Sequence, residues 1–321
     1  MADTAVQPRA LSTTPRVSDR VFRGVVTAGG LTSLVVLAMI AVFLYLKSHA
    51  VFTTFGWHFI TDATWTPDDS VTMSTGHYGI GAMLVGTLIT SAMALLFAVP
   101  IAIGLALFMT HYAPAWMRTP LTLLVDLMAA IPSIVYGLWG FFVLMPVAIH
   151  WSELINRYLG FIPIFSVPVP IFDRSPFIAS LVLAVMVAPI VTAIAREVYA
   201  QAPRDHIEAA YALGATKWVA MRTVVLPHGR PGVIGGAMLG LGRALGETVA
   251  VYMVLNLVYA VNFHVLQSAG GSVASMIVNK FGEATPFEVQ GLMAAGLVLF
   301  LLTLAVNFLA DLIVRRTSRR A

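Results

Sequence analysis

No cysteine occurs in the 321 residues, which removes disulfides, thiol nucleophiles and thiolate metal sites from consideration. The eight histidines are scattered, with no His-Glu-x2-His run and no i, i+4 pair, so no metal is assigned. A Gly-x4-Gly-Lys-[Ser/Thr] run is also missing, so a nucleotide held in that kind of phosphate cradle belongs on another chain. No nucleophile–base constellation is legible, and an enzyme is not expected. Charge is scarcest of all. Asp, Glu, Lys and Arg make up 11% of the residues, against about 25% in soluble domains.

What fills the space is apolar. Hydrophobic residues reach 59% and the mean hydropathy is +0.86, in runs near the length of a membrane-spanning helix. Six spans are expected, at about 25–46, 79–109, 121–149, 177–195, 232–259 and 291–313. The fold class is therefore an all-α polytopic membrane helix bundle. Before the first span lies a polar stretch, 1–23, expected to be a disordered cytoplasmic tail. The apolar run after it is longer than a signal-peptide core and lacks a small-residue cleavage pattern, so it is read as a retained anchor. Residues 24–314 form the membrane domain, and 315–321 a basic cytoplasmic tail.

A pI near 9.5 invites a nucleic-acid reading, but the placement of the basic residues points to topology. Of the 19 Lys and Arg, 14 fall in the N-terminal tail, the 2–3 turn, the 196–230 segment and the C-terminus, and 4 in the alternate loops. By the positive-inside rule both termini and the 196–230 segment are cytoplasmic. Aromatic residues Phe55, Trp57, Phe59 and Trp65 suit the opposite interface. The acidic pair Asp68–Asp69 reads as a solvated loop, and the proline-bearing stretch 151–175 as irregular. Ser272 is a candidate N-cap for a short helix with Val273, Met276 and Ile277 on one face.

Within 201–228, Asp205 and Glu208 have capping-box spacing and Gly214 can supply the left-handed residue that ends a helix. A short helix over 206–213 follows, too brief to stand without packing. Thr216 can cap a second helix, with Trp218, Met221 and Val225 on one face, that Leu226-Pro227 would stop. The pair presents a knob carrying Ala209, Ala210, Tyr211 and Leu213. On physics alone, a linker lying on the bilayer accounts for the segment equally well.

Further on, Arg243 and Glu247 are four residues apart in an apolar run. Helical spacing would put them on one face. An Arg at mid-bilayer costs about 2.5–3.5 kcal/mol on insertion scales, and pairing with Glu247 would recover part of that. Two readings stand: a pair that locks helix packing, or an anion path in which the guanidinium fork meets a tetrahedral oxyanion. On the second, Glu247 would weaken the hold on a dianion and could accept a hydrogen bond from a protonated phosphate oxygen. Gly232, Gly236 and Gly240 form a small-residue stripe for close helix approach, with Gly246 beyond it. Pro132 is expected to kink span 3, and Asp126 to pair with a basic residue of span 5 or to cap local backbone.

Glu208-Ala209-Ala210, Gly214 and Val224-Val-Leu-Pro227 together resemble the EAA loop of bacterial ABC-importer permeases. Gly242-Arg243-Ala-Leu-Gly246-Glu247-Thr248 and Asp126-Leu-Met-Ala-Ala-Ile-Pro132-Ser133-Ile-Val-Tyr136-Gly137 resemble the phosphate-specific branch, PstC type. The resemblance implies a MetI-like type I importer permease in the bacterial inner membrane. It implies a homologous PstA-type permease, two PstB-type ATPases carrying ATP and Mg, a PstS-type phosphate-binding protein, phosphate and membrane lipid as partners, and no cofactor on this chain. Asp205, Glu208, Ala209, Ala210, Leu213 and Gly214 become the ATPase docking site. Arg243 and Glu247 become the phosphate path, with Pro132, Gly236, Gly240 and Gly246 serving packing and gating. A permease for another oxyanion, such as molybdate or sulfate, and an ion-coupled carrier remain the alternatives.

Overall fold

The computed structural model describes residues 17–66 and 76–318, with side chains to 312. The Asp68–Asp69 pair and residues 1–16 of the expected tail lie outside the described residues. The chain divides into two units, Met1–Leu46 and Lys47–Ala321. In the first, the described part is the front of helix α1 (Val17–Phe55). No residue from 17 to 46 is buried, and Leu31, Leu34, Leu37 and Met39 are exposed. Helix therefore begins inside the stretch expected to be disordered, because Val17 to Arg23 carry no helix breaker.

In the second unit α1 ends and is followed by α2 (His58–Thr61), then a two-residue antiparallel pairing of β1 (Trp65–Thr66) with β2 (His77–Tyr78). Helix α3 (Gly81–Leu107) runs into a π-turn, Phe108–Tyr112. Next come α4 (Ala115–Ala130) and α5 (Ser133–Trp139), which leads through a π-turn, Gly140–Leu144, into α6 (Met145–Leu159). After α7 (Pro176–Ala200) come the short α8 (Arg204–Ala212) and α9 (Lys217–Ala220), a π-turn over Met221–Val225, and α10 (Leu226–Leu245). The chain closes with α11 (Val249–Val254), α12 (Val273–Phe281) and α13 (Pro286–Ser318). The basic tail thus begins inside α13.

Five helical segments among the described residues are long and apolar enough to cross a membrane: Val17–Phe55, Gly81–Tyr112, Ser133–Leu159, Pro176–Ala200 and Pro286–Leu312. The molecule is an all-α, multi-pass membrane bundle. Two expected spans are corrected. Span 3 starts at Ser133, since Pro132 separates two helices rather than bending one. It extends to Leu159, so only 160–175 is non-helical apart from a 3-10 turn at Pro163–Phe165. Span 5 is interrupted between Leu245 and Val249.

Helix α7 sits at the centre. On one side α3 offers it Ala94, Ala98, Ala102 and Ala106, one every fourth residue and each fully buried. On the other, α10 offers glycines. A methyl at Gly232 would collide with Val198, and one at Gly236 would meet Ile194 at 3.2 Å and at Gly240 Val187 at 2.5 Å. In lipid, where tails are as apolar as leucine, this closeness of backbones and the dispersion it brings hold helices together. The expected glycine stripe is therefore a packing seam. Large side chains such as Leu96, Ile101, Leu123, Leu127 and Phe308 are exposed instead.

At one end of the bundle a second cluster gathers Phe59, Trp65, Tyr78, Met83, Met276 and Leu292. There Trp65 Nε1 donates to Glu288 Oε1 at 2.8 Å, and both residues are buried. The Tyr259 ring stacks on Trp65. Burial, and next the nearby Glu288, push its phenol above the ordinary tyrosine range. Ser272 caps α12 as expected, in a reciprocal arrangement with Ser275.

Candidate functional site

The polar segment after α7 forms a rigid elbow. Pro203 (φ −60°, ψ 119°) takes the N-cap position itself, so α8 starts at Arg204 and Asp205 falls in its first turn. The capping box expected from Asp205 and Glu208 does not form. Asp205 instead lies where a negative charge suits the helix dipole. The other end follows expectation. Gly214 has φ +82°, its N–H donates to Tyr211 O (2.9 Å), and the Ala215 N–H donates to Ala210 O (3.0 Å). That pair of bonds closes a helix with a left-handed glycine and satisfies two of its last carbonyls.

No residue of α8 is buried. Ile207 and Ala210 turn toward a cluster containing Ala195, Tyr199, Met221 and Val225, while Leu213 is 89% exposed. Glu208, Ala209 and Gly214 are exposed too. Thr216 Oγ1 accepts from the Val219 N–H at 3.4 Å, capping α9 as expected. Trp218 leaves the face predicted for it and is 55% exposed. Leu226-Pro227 does not stop the helix. The π-turn leads directly into α10, and Pro227 falls in its first turn, where its missing N–H costs nothing. From α8 to the end of α10 only 213–216 is non-helical.

α10 ends where charge was expected to pair. Gly246 (φ −92°, ψ 0°) leaves helical geometry, so Arg243 and Glu247 no longer share a helical face. Among the described residues they make no ion pair. Glu247 is 8% exposed, and its Oε1 accepts the Ala250 N–H at 3.2 Å. Its carboxylate thus serves the exposed amides that start α11. Arg243 is exposed, in the last turn of α10.

Tyr136 belongs to a second break. Its hydroxyl donates at 2.7 Å to Met128 O, which also accepts the Ile131 N–H at 3.3 Å and gets no N–H from Pro132. The next residue, Gly137, lies so close to Ala250 that a methyl there would stand 2.9 Å from Ala250 Cα. α5 and α11, the helices that follow the two breaks, therefore adjoin, and Arg243 lies three residues before the second break. Sequence reasoning missed Tyr136 as a site residue; its position four residues past Pro132 was the available signal. Asp126 pairs with Arg196 Nη2 at 4.0 Å, on α7 rather than on span 5. Among the described residues no three His, Asp or Glu side chains gather around a shared metal position.

This geometry, an exposed capped helix feeding a broken span, can be set beside known proteins. The family described as "Binding-protein-dependent transport system inner membrane component" matches residues 98–320. The chain belongs to that family. Among curated relatives, the phosphate transport system permease protein PstC of Pasteurella multocida is 41% identical over 293 residues, covering 88% of each chain. The phosphate transport system permease protein PstC 2 of Mycobacterium tuberculosis is 40% identical over 295 residues, covering 91% of this chain and 90% of its own. Among solved structures, a bacterial alginate ABC transporter in complex with a pentasaccharide-bound periplasmic protein aligns with TM-score 0.59 at 16% identity, over 94% of this chain and 98% of its own. At that identity the likeness speaks for fold alone.

Proposed function

We propose that this chain is the PstC-type permease subunit of an ATP-driven inorganic phosphate importer in the bacterial inner membrane. The observation that carries the reading is the unbroken helical run from the elbow behind the exposed α8 to the Arg243 break, in a chain whose relatives are named phosphate transport permeases. Asp205, Glu208, Ala209, Ala210, Leu213 and Gly214 form the face that docks on a PstB-type ATPase. Two such subunits carry ATP and Mg, and this chain carries no cofactor. A PstA-type permease completes the path, and a PstS-type protein delivers phosphate from outside.

The physics follows from the fold. ATP-driven closure of the two ATPases moves α8, and the elbow passes that motion to α10 with little slack. α10 slides on α7 along a seam of glycines and small side chains, so the shift reaches Leu245–Val249 with few side chains to repack. Arg243 offers a planar, permanently charged fork to the oxyanion. Glu247 acts one step back by holding the start of α11, and so the shape of the break.

The test is phosphate uptake by the reconstituted complex with Arg243→Gln. Uptake is expected to be lost while the partner subunits still co-purify. Normal uptake would reassign Arg243 to packing. Failure of phosphate to compete, with molybdate or sulfate competing, would replace phosphate with another oxyanion.

A further inference from the structure

A second cationic position lies at the other end of α7 from the elbow. Arg174 precedes the helix by two residues, is exposed, and has φ +43°, the one positive φ outside glycine among the described residues. A left-handed backbone at a bulky residue costs on the order of 1 kcal/mol or more and persists only where its surroundings impose it. Here the Arg174 carbonyl accepts the Asn256 N–H at 3.0 Å, and its guanidinium lies 5.2 Å from the Phe141 ring centroid. That contact turns the side chain over a cavity of about 360 Å³.

The cavity is lined in part by Phe141, Arg174, Tyr252, Asn256, Ser275 and Asn279, and no carboxylate is among its lining residues. Among the described residues Arg174 makes no ion pair. Asn256 Oδ1 accepts the Leu257 N–H at 3.1 Å, which leaves its amide N–H groups to donate. A cation, two side-chain amides and a phenol thus converge on a space with room for a small hydrated ion.

Its position gives this meaning. Tyr252 lies on α11, just beyond the interruption at 246–248. Phe141 is five residues past Tyr136, about 7 Å of helix rise, and α5 meets α11 where Gly137 approaches Ala250. Arg174 therefore lies over the π-turn that packs beside α11, and Arg243 in the last turn of α10, three residues before the interruption that α11 follows.

We propose that the Arg174 cavity is an outer anion station, which receives a tetrahedral oxyanion before it passes to Arg243. This rests on the permease reading and adds a second binding position to it. A fixed guanidinium backed by uncharged donors concentrates anions at the mouth, while the lack of a tight ion-pairing cage lets them leave inward. The effect weakens with salt, since an exposed charge is screened.

The experiment is phosphate uptake by the full complex, binding protein included, in vesicles at low and high ionic strength. Arg174→Asn removes the charge while keeping a residue that tolerates the left-handed backbone, and Arg174→Lys keeps the charge. Thermal stability and co-purification of the other subunits establish that each variant assembles. Arg174→Asn is expected to lower uptake at low salt by about tenfold, a gap that narrows at high salt, and Arg174→Lys to recover most of it. Wild-type uptake by Arg174→Asn at both ionic strengths overturns the station while leaving the Arg243 reading in place. Equal, salt-independent loss in both variants reduces Arg174 to packing on Phe141 and also overturns it. So does a loss confined to vesicles containing anionic lipid, which would assign the guanidinium to a headgroup. If the wild-type complex carries another oxyanion instead, the phosphate reading falls and the same comparison, made with that ion, decides the station.

Discussion

Replacing Gly240 with alanine isolates what the α7–α10 seam contributes. The new Cβ would lie 2.5 Å from Val187 Cγ1 and 3.3 Å from Val191 Cγ2. Both valines are fully buried and stiff about χ1, so neither can turn aside and the helices must part. Gly235, on the same helix, has nothing within 4 Å of its virtual Cβ. Both substitutions gain the same helix propensity, about 1 kcal/mol, so their difference reports packing alone. Overpacking a filled interior costs about 1–3 kcal/mol. Gly240→Ala should therefore be less stable than Gly235→Ala by about that amount, with Gly235→Ala at or slightly above wild type. Unfolding of the detergent-solubilised complex, followed by tryptophan fluorescence across a denaturant series, measures the gap. Coincident curves, or Gly240→Ala as the more stable variant, would refute the idea that backbone closeness holds this interface.

Gly214→Val places a β-branched residue at φ +82°, where it is strained at a cost on the order of 1–3 kcal/mol. Since α8 is held only by Ile207 and Ala210 packing on their cluster, its end should unwind, and the ATPase subunits should be lost on purification or their hydrolysis should cease to depend on the binding protein. Trp65→Phe removes the donor to the buried Glu288 carboxylate, which should cost about 1–3 kcal/mol or more. Replacing both at once, as Trp65→Phe with Glu288→Leu, should recover much of that loss in the same unfolding measurement.

Features set by one residue's backbone preference were legible in the sequence. Gly214 ends α8, Thr216 and Ser272 cap the helices after them, and the Gly232–Gly236–Gly240 spacing faces another helix. Features set by competition between neighbours were not. Asp205 had the right spacing for a cap, but Pro203 was already extended and took the position two residues earlier. Arg243 and Glu247 had the spacing of a pair, yet that spacing presumes unbroken helix, and the glycines that thin α10 for packing also let it end at Gly246. Pro132 was read as a bend inside a span because apolar residues flank it. Arg118 and Asp126 on its N-terminal side were the sign that the long apolar run resumes only after it. The Arg174 cavity has no local signature, since its walls come from four stretches of chain that only the fold brings together.

The interruption at Leu245–Val249 carries a consequence for how the chain can exist at all. A helix that stops within an apolar run leaves carbonyls of its last turn without the amides of a following turn, and hydrocarbon offers no hydrogen to meet them. The side that bears those oxygens must look onto water or onto another polypeptide. Part of the need is met within the chain, where the Gly246 N–H donates to Gly242 O at 3.3 Å and the Glu247 N–H to Ala244 O at 3.4 Å; the remainder keeps lipid tails away from this stretch.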